Sequence, residues 1–286
     1  MRGGANAHLM LADQGKHDAY YVVKFRDNPQ HRRILTNEAV CHELLDYLGL
    51  PTPPCRLVEV SAELIENTPE LTMEFSRRTE RCKPGLHFGS QFPVDPVRQA
   101  VYDYVPLSLL RQVVNVDCLL GMAVFDKWVS NANGRQAVFF RDRAKEWLPE
   151  HGADKPDGRP IGPRSLVYAA NVIDNGFAFD AQRWEFSDRP EQGLYTRREV
   201  YDKVSGYDSF EPYLSRIVDL PVEVMDKALE SPAAEWFEDD FDEFEAMLET
   251  LYERRKRAPE LLKNGKQAGR DPFPKWLLAE AAGGAR

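Results

Sequence analysis

The sequence has few cysteines, no long apolar run and no excess of basic residues. Its most apolar stretch, residues 119–125, is far too short to span a bilayer and is flanked by aspartates, so we expect no membrane anchor. The chain also begins without the basic, apolar, small-residue pattern of a secretory leader. The four cysteines form no C-x-x-C pair, which predicts reduced thiols and a cytoplasmic location. They are Cys41, Cys55, Cys82 and Cys118.

The charge balance restricts the possible partners. The chain of 286 residues carries a formal net charge of -9, which leaves no broad cationic surface and argues against nucleic acid as a bulk partner. A small anion such as ATP can still bind locally. With 43% hydrophobic residues the chain can bury a substantial core, in one large domain or in two unequal lobes.

Apolar periodicity predicts strands in the first part of the chain and helices in the second. Residues 20–25 form a clear strand, and a helix capped by Thr36 or Asn37 should run to Leu48, where Gly49 stops it. We expect a first unit over residues 1–106, a mostly helical unit over 107–263, and a flexible tail over 264–286. Further predicted strands cover residues 55–60, 71–75, 136–140 and 166–173, with a helix at 115–129 and a mobile insertion at 141–165.

Lys24 is the first candidate for chemistry. It lies inside an otherwise apolar strand, where a buried ammonium group is costly unless a phosphate or a carboxylate faces it. Glu38, in the first turn of the next predicted helix, is a candidate for that carboxylate. The alternatives are an edge-strand charge for Lys24 and a favourable interaction with the helix dipole for Glu38.

Gly3 and Gly4 precede this strand and are candidates for a phosphate-binding turn. Glycine allows backbone N–H groups to approach phosphates closely. Paired glycines also occur in lead-in segments at the start of a chain. Their assignment to nucleotide binding therefore depends on Lys24.

Two aspartates that emerge from apolar segments complete a set of candidate residues in the order found in kinases. Asp126 is followed five positions later by Asn131, the spacing of the protein-kinase catalytic loop, in which Asp orients the acceptor hydroxyl and Asn binds metal. Asp174, with Asn175 and Gly176, resembles the Asp-Phe-Gly turn, whose aspartate reaches Mg²⁺ and whose glycine permits a sharp bend. Taken singly, Asp126 is a helix-end charge and Asp174 an Asx turn. Because all of these candidates follow one another in the order found in kinases, the kinase interpretation is favoured.

The same residues carry a family resemblance over about residues 2 to 185. Tyr21-Val22-Val23-Lys24-Phe25, Asn37-Glu38 and Leu48-Gly49-Leu50-Pro51 resemble the amino lobe of the bacterial HipA-like kinases, and residues 173–179 are similar to the metal-binding turn of phosphatidylinositol kinases. The resemblance implies an α+β, two-lobed protein-kinase-like fold with a small β-rich N-lobe and a mostly helical C-lobe. It also implies that Lys24 contacts the phosphates of ATP, Glu38 holds Lys24, Asp174 ligates Mg²⁺, and the acceptor is a Ser or Thr hydroxyl on a protein.

The catalytic loop admits a second alignment. HipA-like loops often carry Asn-x-Asp, a basic residue and a later Asn, which places Asn133 at the acid's position and Val138 at the position of the later Asn. An amide cannot accept a proton as a base. On this alignment both the acid and the later metal-binding Asn are missing, and activity would depend on Asp126 or Gln136 substituting. Under either alignment Arg135 would stabilise transferred charge, or else be a surface cation.

Three functions stay open at this point. The first is a Mg²⁺- and ATP-dependent protein kinase in which Asp126 positions the acceptor. The second, which Asn133 supports, is a nucleotide-binding pseudokinase that acts as a regulatory interaction module. The third is a metal-dependent phosphohydrolase that uses Asp126 and Asp174, in which Lys24 has no role. Whether an antitoxin or another regulatory protein is a partner is not inferable from this chain.

Overall fold

The computed structural model of the protein describes residues 6–12, 18–132, 134, 136–148, 161–237 and 239–277, with residue 136 as backbone only. The strands are β1 (His8–Ala12), β2 (Ala19–Lys24), β3 (Cys55–Val60), β4 (Thr72–Phe75), β5 (Arg78–Arg81), β6 (Gly85–Gln91), β7 (Gln136–Arg143) and β8 (Leu166–Ile173). The α-helices are α1 (Ile34–Leu48), α2 (Ala62–Asn67), α3 (Leu107–Leu110), α4 (Cys118–Trp128), α5 (Tyr213–Val218), α6 (Val222–Glu230), α7 (Phe241–Arg254) and α8 (Ala258–Asn264).

The first sheet has four antiparallel strands in the order β1-β2-β6-β3. Because side chains alternate across a strand, β2 presents Val22 and Lys24 on one face and Tyr21 and Val23 on the other. Tyr21 and Val23 are buried in a small apolar cluster with the β4–β5 hairpin and the end of β3. The opposite face, with Val22 and Lys24, is therefore the one left for a site.

Helix α1 connects the first sheet to the rest of the molecule. It ends where the sequence predicts, at Gly49, which has a φ of 71° and whose N–H donates to the carbonyl of Asp46 at 3.0 Å. Arg33, just before the helix, donates from Nε to Oδ2 of Asp240 at 2.8 Å and also pairs with Glu243 at the start of α7. Its guanidinium lies 3.7 Å from the ring centroid of Trp184.

Strands β7 and β8 form a separate antiparallel pair, in which Gln136 is opposite Ile173 and Arg143 is opposite Leu166. The pair contacts the segment between α3 and α4 through Asn115. The side-chain amide of Asn115 exchanges hydrogen bonds of 2.8 and 2.9 Å with the backbone of Ala170. β7 is longer than predicted and continues to Arg143, so the predicted insertion at 141–165 begins inside a strand. Residues 149–160 of that insertion lie outside the described residues.

The helices enclose the larger apolar core, around Leu119, Phe125 and Trp128 of α4. Three residues of the predicted flexible tail, Ala268, Phe273 and Trp276, pack onto this core. Phe273 is fully buried, and its ring lies 5.5 Å from that of Tyr201. The sequence pattern does not indicate that Phe273 and Trp276 are buried, because they lie in a short segment without helical periodicity. Residues 278–286 of the predicted tail lie outside the described residues.

The protein thus has a mixed architecture of small antiparallel sheets and several helices, which agrees with the predicted α+β class. None of the helices in the described ranges has the length and apolar character needed to cross a membrane.

Candidate functional site

The structure brings three of the predicted residues together. Nζ of Lys24 donates to Oδ1 of Asp174 at 2.9 Å and forms a second hydrogen bond to Oε1 of Glu38. The Lys24 and Asp174 side chains are 13% and 20% exposed, whereas Glu38 is 4% exposed. Burial lowers the pKa of Lys24, but the two carboxylates outweigh it and raise that pKa above its ordinary value. The ammonium group therefore stays charged at neutral pH.

Glu38 has a second task besides holding Lys24. Its Oε2 accepts from the backbone N–H of Asn175 at 3.1 Å, and its Oε1 accepts from the N–H of Gly176 at 3.0 Å. Two backbone donors and one ammonium group thus supply the partners that a buried carboxylate needs. Helix α1 is thereby bonded directly to the turn that follows Asp174.

Asn37 and His31 contact the same turn. Asn37 is fully buried and donates from Nδ2 to the carbonyl of Gly176 at 2.9 Å, while its Oδ1 accepts from the indole N–H of Trp184 at 2.8 Å. Nε2–H of His31 donates to the same Gly176 carbonyl at 3.0 Å, and its ring lies edge-on to Phe177. Burial lowers the pKa of His31 to about 4, so the ring is neutral at pH 7.

A cavity of about 630 Å³ lies beside this cluster, within the size range of small-molecule sites. The cation and both carboxylates line one part of it. The apolar lining comes from the first sheet, the β7–β8 pair and the segments next to them, and includes Val22, Phe88, Phe92, Val101, Val138, Ile173 and Phe177. Other polar residues on the wall are Asn6, Gln30, His42, Thr52, Ser90, Gln91, Asp103 and Asn175. Such a cavity offers an apolar surface for a flat ring and a charged end for an anion.

Asp126 and Asn131 form a different cluster. Nδ2 of Asn131 donates to Oδ1 of Asp126 at 3.1 Å, and the two side chains are 1% and 0% exposed. Neither residue is among those that line the cavity. Gly193 packs so closely that a Cβ atom there would lie 2.5 Å from Cβ of Asp126. The structure therefore does not bring Asp126 and Asn131 to the Lys24 cluster.

Four residues of the predicted site lie outside the described residues: Gly3, Gly4, Asn133 and Arg135. Asn6 and Ala7, the first described residues after the glycines, line the cavity. Val138, which falls at the later metal-binding Asn on the second alignment, also lines it. An isopropyl group has no donor atom for a metal ion.

The sequence did not reveal Asn37 or His31 as part of the site. In the sequence, Asn37 is a candidate helix cap and part of the family resemblance, and no motif marks His31. The available signal for Asn37 was its position beside Glu38 in the stretch that carries the family resemblance. Its role could not be read there, because its partners lie more than 130 positions further along the chain.

A cation held between two carboxylates, at the charged end of a cavity that is otherwise largely apolar, is typical of sites for nucleotide phosphates in kinase-type phosphotransferases. Residues 11–138 match the family model described as HipA-like kinase. The match confirms, for this part of the chain, the family that the sequence predicts, and kinases of this kind use ATP. Asp174 and the turn after it lie beyond the matched residues. A comparison with curated proteins finds no match.

Proposed function

We propose that the cavity binds ATP together with Mg²⁺, and that the protein is a HipA-like phosphotransferase. The observation that carries the proposal is the convergence of Lys24, Glu38 and Asp174 on one wall of the cavity, although Asp174 is 150 positions from Lys24 in the sequence. Catalysis of phosphoryl transfer depends mainly on positioning and on neutralising phosphate charge. Lys24 would contact the phosphates, and Glu38 would hold its ammonium group.

Asp174 is the proposed protein ligand of Mg²⁺. No cluster of three or more His, Cys, Asp or Glu side chains suited to a metal ion occurs among the described residues. That fits Mg²⁺ better than a structural metal, because Mg²⁺ is usually held by one or two carboxylates together with substrate phosphates and water. When bound, the ion would neutralise phosphate charge. Asp174 and Lys24 would then share the phosphates instead of pairing only with each other.

A two-lobed, kinase-like arrangement belongs to the same proposal. The first sheet and α1 would form the smaller lobe, and the helices from α4 onward would form the larger one. Its support is the distribution of cavity residues: Val22, Lys24 and Phe88 come from the first sheet, whereas Ile173 and Asp174 come from β8 and the turn after it. A cleft between unequal lobes is where kinases bind ATP.

The family suggests a Ser or Thr hydroxyl on a protein as the phosphoryl acceptor, an inference that rests on analogy alone. Asp126 was the predicted positioning group for that hydroxyl. Its complete burial and its bond to Asn131 give this role no geometric support. They give none to the phosphohydrolase alternative either, since that function also needs Asp126 beside Asp174.

A second candidate function is therefore a nucleotide-binding pseudokinase that regulates another protein. The observation in its favour is Val138, which lies on the cavity wall where the second alignment expects a metal-binding Asn. On that alignment Asn133 also replaces the catalytic acid. Nucleotide binding is common to both candidates, and they differ in whether phosphate leaves the nucleotide.

Two measurements on the purified chain test the proposal. Thermal unfolding with and without ATP and Mg²⁺ reports binding, because a ligand of the folded state raises the melting temperature. Incubation with γ-labelled ATP and protein acceptors reports transfer. Stabilisation with label transfer supports the kinase, and stabilisation without transfer supports the regulatory module. Asp174→Asn should lose the Mg²⁺-dependent part of the stabilisation, while Asp46→Asn, an exposed change on α1 outside the cavity, should keep it. Absence of any ATP effect on the unaltered chain would refute the proposal.

A further inference from the structure

The segment that begins at Asp174 has a backbone conformation that most side chains avoid. Between residues 174 and 184, five residues other than glycine have φ values in the left-handed region. They are Asp174 (67°), Phe179 (58°), Asp180 (53°), Ala181 (63°) and Trp184 (55°). Such residues persist only where surrounding contacts fix them, and they concentrate at functional sites. Residues 174–184 are called the strained segment below.

One side chain bonds to the strained segment along most of its length. The amide nitrogen of Asn37 donates to the carbonyls of Gly176, Ala178 and Ala181 at 2.9, 3.0 and 3.0 Å, so its two hydrogens are shared among three acceptors. Its oxygen accepts from Trp184 at 2.8 Å. Four points of an eleven-residue stretch are thus tied to a single buried amide, whose two N–H donors are both engaged.

Asn37 is also placed to transmit this restraint to the charged end of the cavity. It precedes Glu38 in α1, and Glu38 bonds both to Lys24 and to the backbone N–H groups of Asn175 and Gly176. The carbonyl of Gly176 accepts from Asn37 and His31, while its N–H donates to Glu38. The N–H and the carbonyl of Gly176, two residues after Asp174, are therefore both held by side chains of α1 and of the loop before it. Asn37 itself does not line the cavity.

We propose that Asn37 is a positioning residue for the Mg²⁺ end of the site, because it holds the strained segment so that the Asp174 carboxylate faces Lys24 and the cavity. The inference rests on the proposed function and adds to it a residue that touches neither nucleotide nor metal. Partners that orient a metal ligand commonly change metal affinity by about 10- to 100-fold when they are altered.

The test compares substitutions of the two residues that the Asn37–Trp184 hydrogen bond joins. Asn37→Asp keeps the size of the side chain and the acceptor for Trp184 but removes the donors to the three carbonyls. Trp184→Phe removes the indole donor and leaves those three bonds in place. For each protein, the affinity for ATP is measured with Mg²⁺ and with a chelator, and the ratio of the two affinities is compared. Asn37→Asp should lower the ratio about tenfold or more, and Trp184→Phe should leave it within about threefold of the unaltered chain.

Hydrogen exchange of the ligand-free proteins gives a second readout. The amides of Asn175 and Gly176 should exchange faster in Asn37→Asp than in Trp184→Phe, because only the first change releases the turn. A purely structural role of Asn37 would lower the melting temperature and leave the affinity ratio unchanged, which would overturn the inference. If the unaltered chain binds ATP without any Mg²⁺ effect, the proposed function itself fails. Should Asn37→Asp not fold, His31→Phe removes the other donor to the Gly176 carbonyl and should lower the ratio about tenfold, beyond the range of about threefold allowed for Trp184→Phe. A ratio inside that range would overturn the inference.

Discussion

Gly176 packs directly against Ile34, the first residue of α1: a Cβ atom at Gly176 would lie only 2.3 Å from Cγ1 of Ile34. The same atom would lie 3.3 Å from Oε1 of Glu38. In this turn the positive φ belongs to Asp174, at 67°, so the bend expected at the glycine occurs two residues earlier. Gly176 is needed because it lets the turn approach the helix closely enough for Glu38 to reach its backbone.

Gly176→Ala should therefore destabilise the protein through overpacking. The free energy of unfolding should fall by about 1–3 kcal/mol, since neither the helix nor the turn can move away without losing the Glu38 bonds. The matched control is Gly206→Ala, where a Cβ atom would meet nothing within 4 Å and the backbone is extended. It should stay within about 0.5 kcal/mol of the unaltered chain. Urea denaturation of both variants checks this, and equal midpoints would contradict it.

Lys24→Met should discriminate between ligands with and without phosphate. The substitution keeps the aliphatic stem and removes the charge, so the affinity for ATP should fall about tenfold or more, whereas that for adenosine should change by less than about threefold. Lys83→Met is the control, because Lys83 pairs with Asp27 at the surface and is 59% exposed. Calorimetric titration with both ligands measures the effect. Parallel losses for ATP and adenosine would argue that Lys24 supports the fold and not the phosphates.

Acidification should destabilise the protein through His87. Its ring is fully buried, Nδ1 accepts from the N–H of Arg26 at 3.1 Å, and Nε2–H donates to the carbonyl of Lys83 at 3.0 Å. Burial lowers its pKa to about 4, against about 6.5 in an unfolded chain. Between these values the unfolded chain binds the extra proton. Stability is thus complete above about pH 6.5 and falls by about 1.4 kcal/mol per pH unit as the pH drops towards 4.

The matched measurement uses His87→Gln, compared with the unaltered chain by denaturation at several pH values between 7 and 4. In His87→Gln, the free energy of unfolding should depend less steeply on pH, by the equivalent of about one proton. Some dependence should remain, because burial lowers the pKa of His31 to about 4 as well. An identical slope in both proteins would show that other groups account for the pH dependence.

Phe273→Ala tests whether the segment after α8 belongs to the folded unit. Phe273 is fully buried among the rings of Tyr201, Phe210 and Trp276, so the change should cost about 3–5 kcal/mol. Leu277→Ala provides the comparison, since Leu277 is 86% exposed and its loss should cost less than about 0.5 kcal/mol. A small effect of both changes on thermal unfolding would support the flexible tail that the sequence predicts.

The parts of the fold that could be predicted are those that local pattern specifies. An apolar run predicts the strand that carries Lys24, and helical spacing with a glycine stop predicts the end of α1 at Leu48. The apolar run at 166–173 predicts β8 with its observed bounds. Strand and helix signals of this kind depend on neighbours within a few positions, so they can be read from the sequence without knowledge of the fold.

The parts that could not be predicted depend on distant partners. Asp126 has the kinase spacing to Asn131, yet whether its carboxylate faces a cavity or the core is decided by packing against residues such as Gly193. Asn37 likewise gains its role only when the strained segment lies against it. Sequence order therefore indicated the Lys24 cluster but not the residues that hold it in place.

The contacts of Arg33 have a consequence for biosynthesis. This residue, immediately before α1, pairs with Asp240 and Glu243, more than 200 positions further along. The helix that supplies Glu38 thus acquires its last electrostatic anchors only after α7 has left the ribosome. A nascent chain that has exposed only the family-matched residues 11–138 lacks those anchors and Asp174 alike, so the cluster of Lys24, Glu38 and Asp174 can assemble only later in translation.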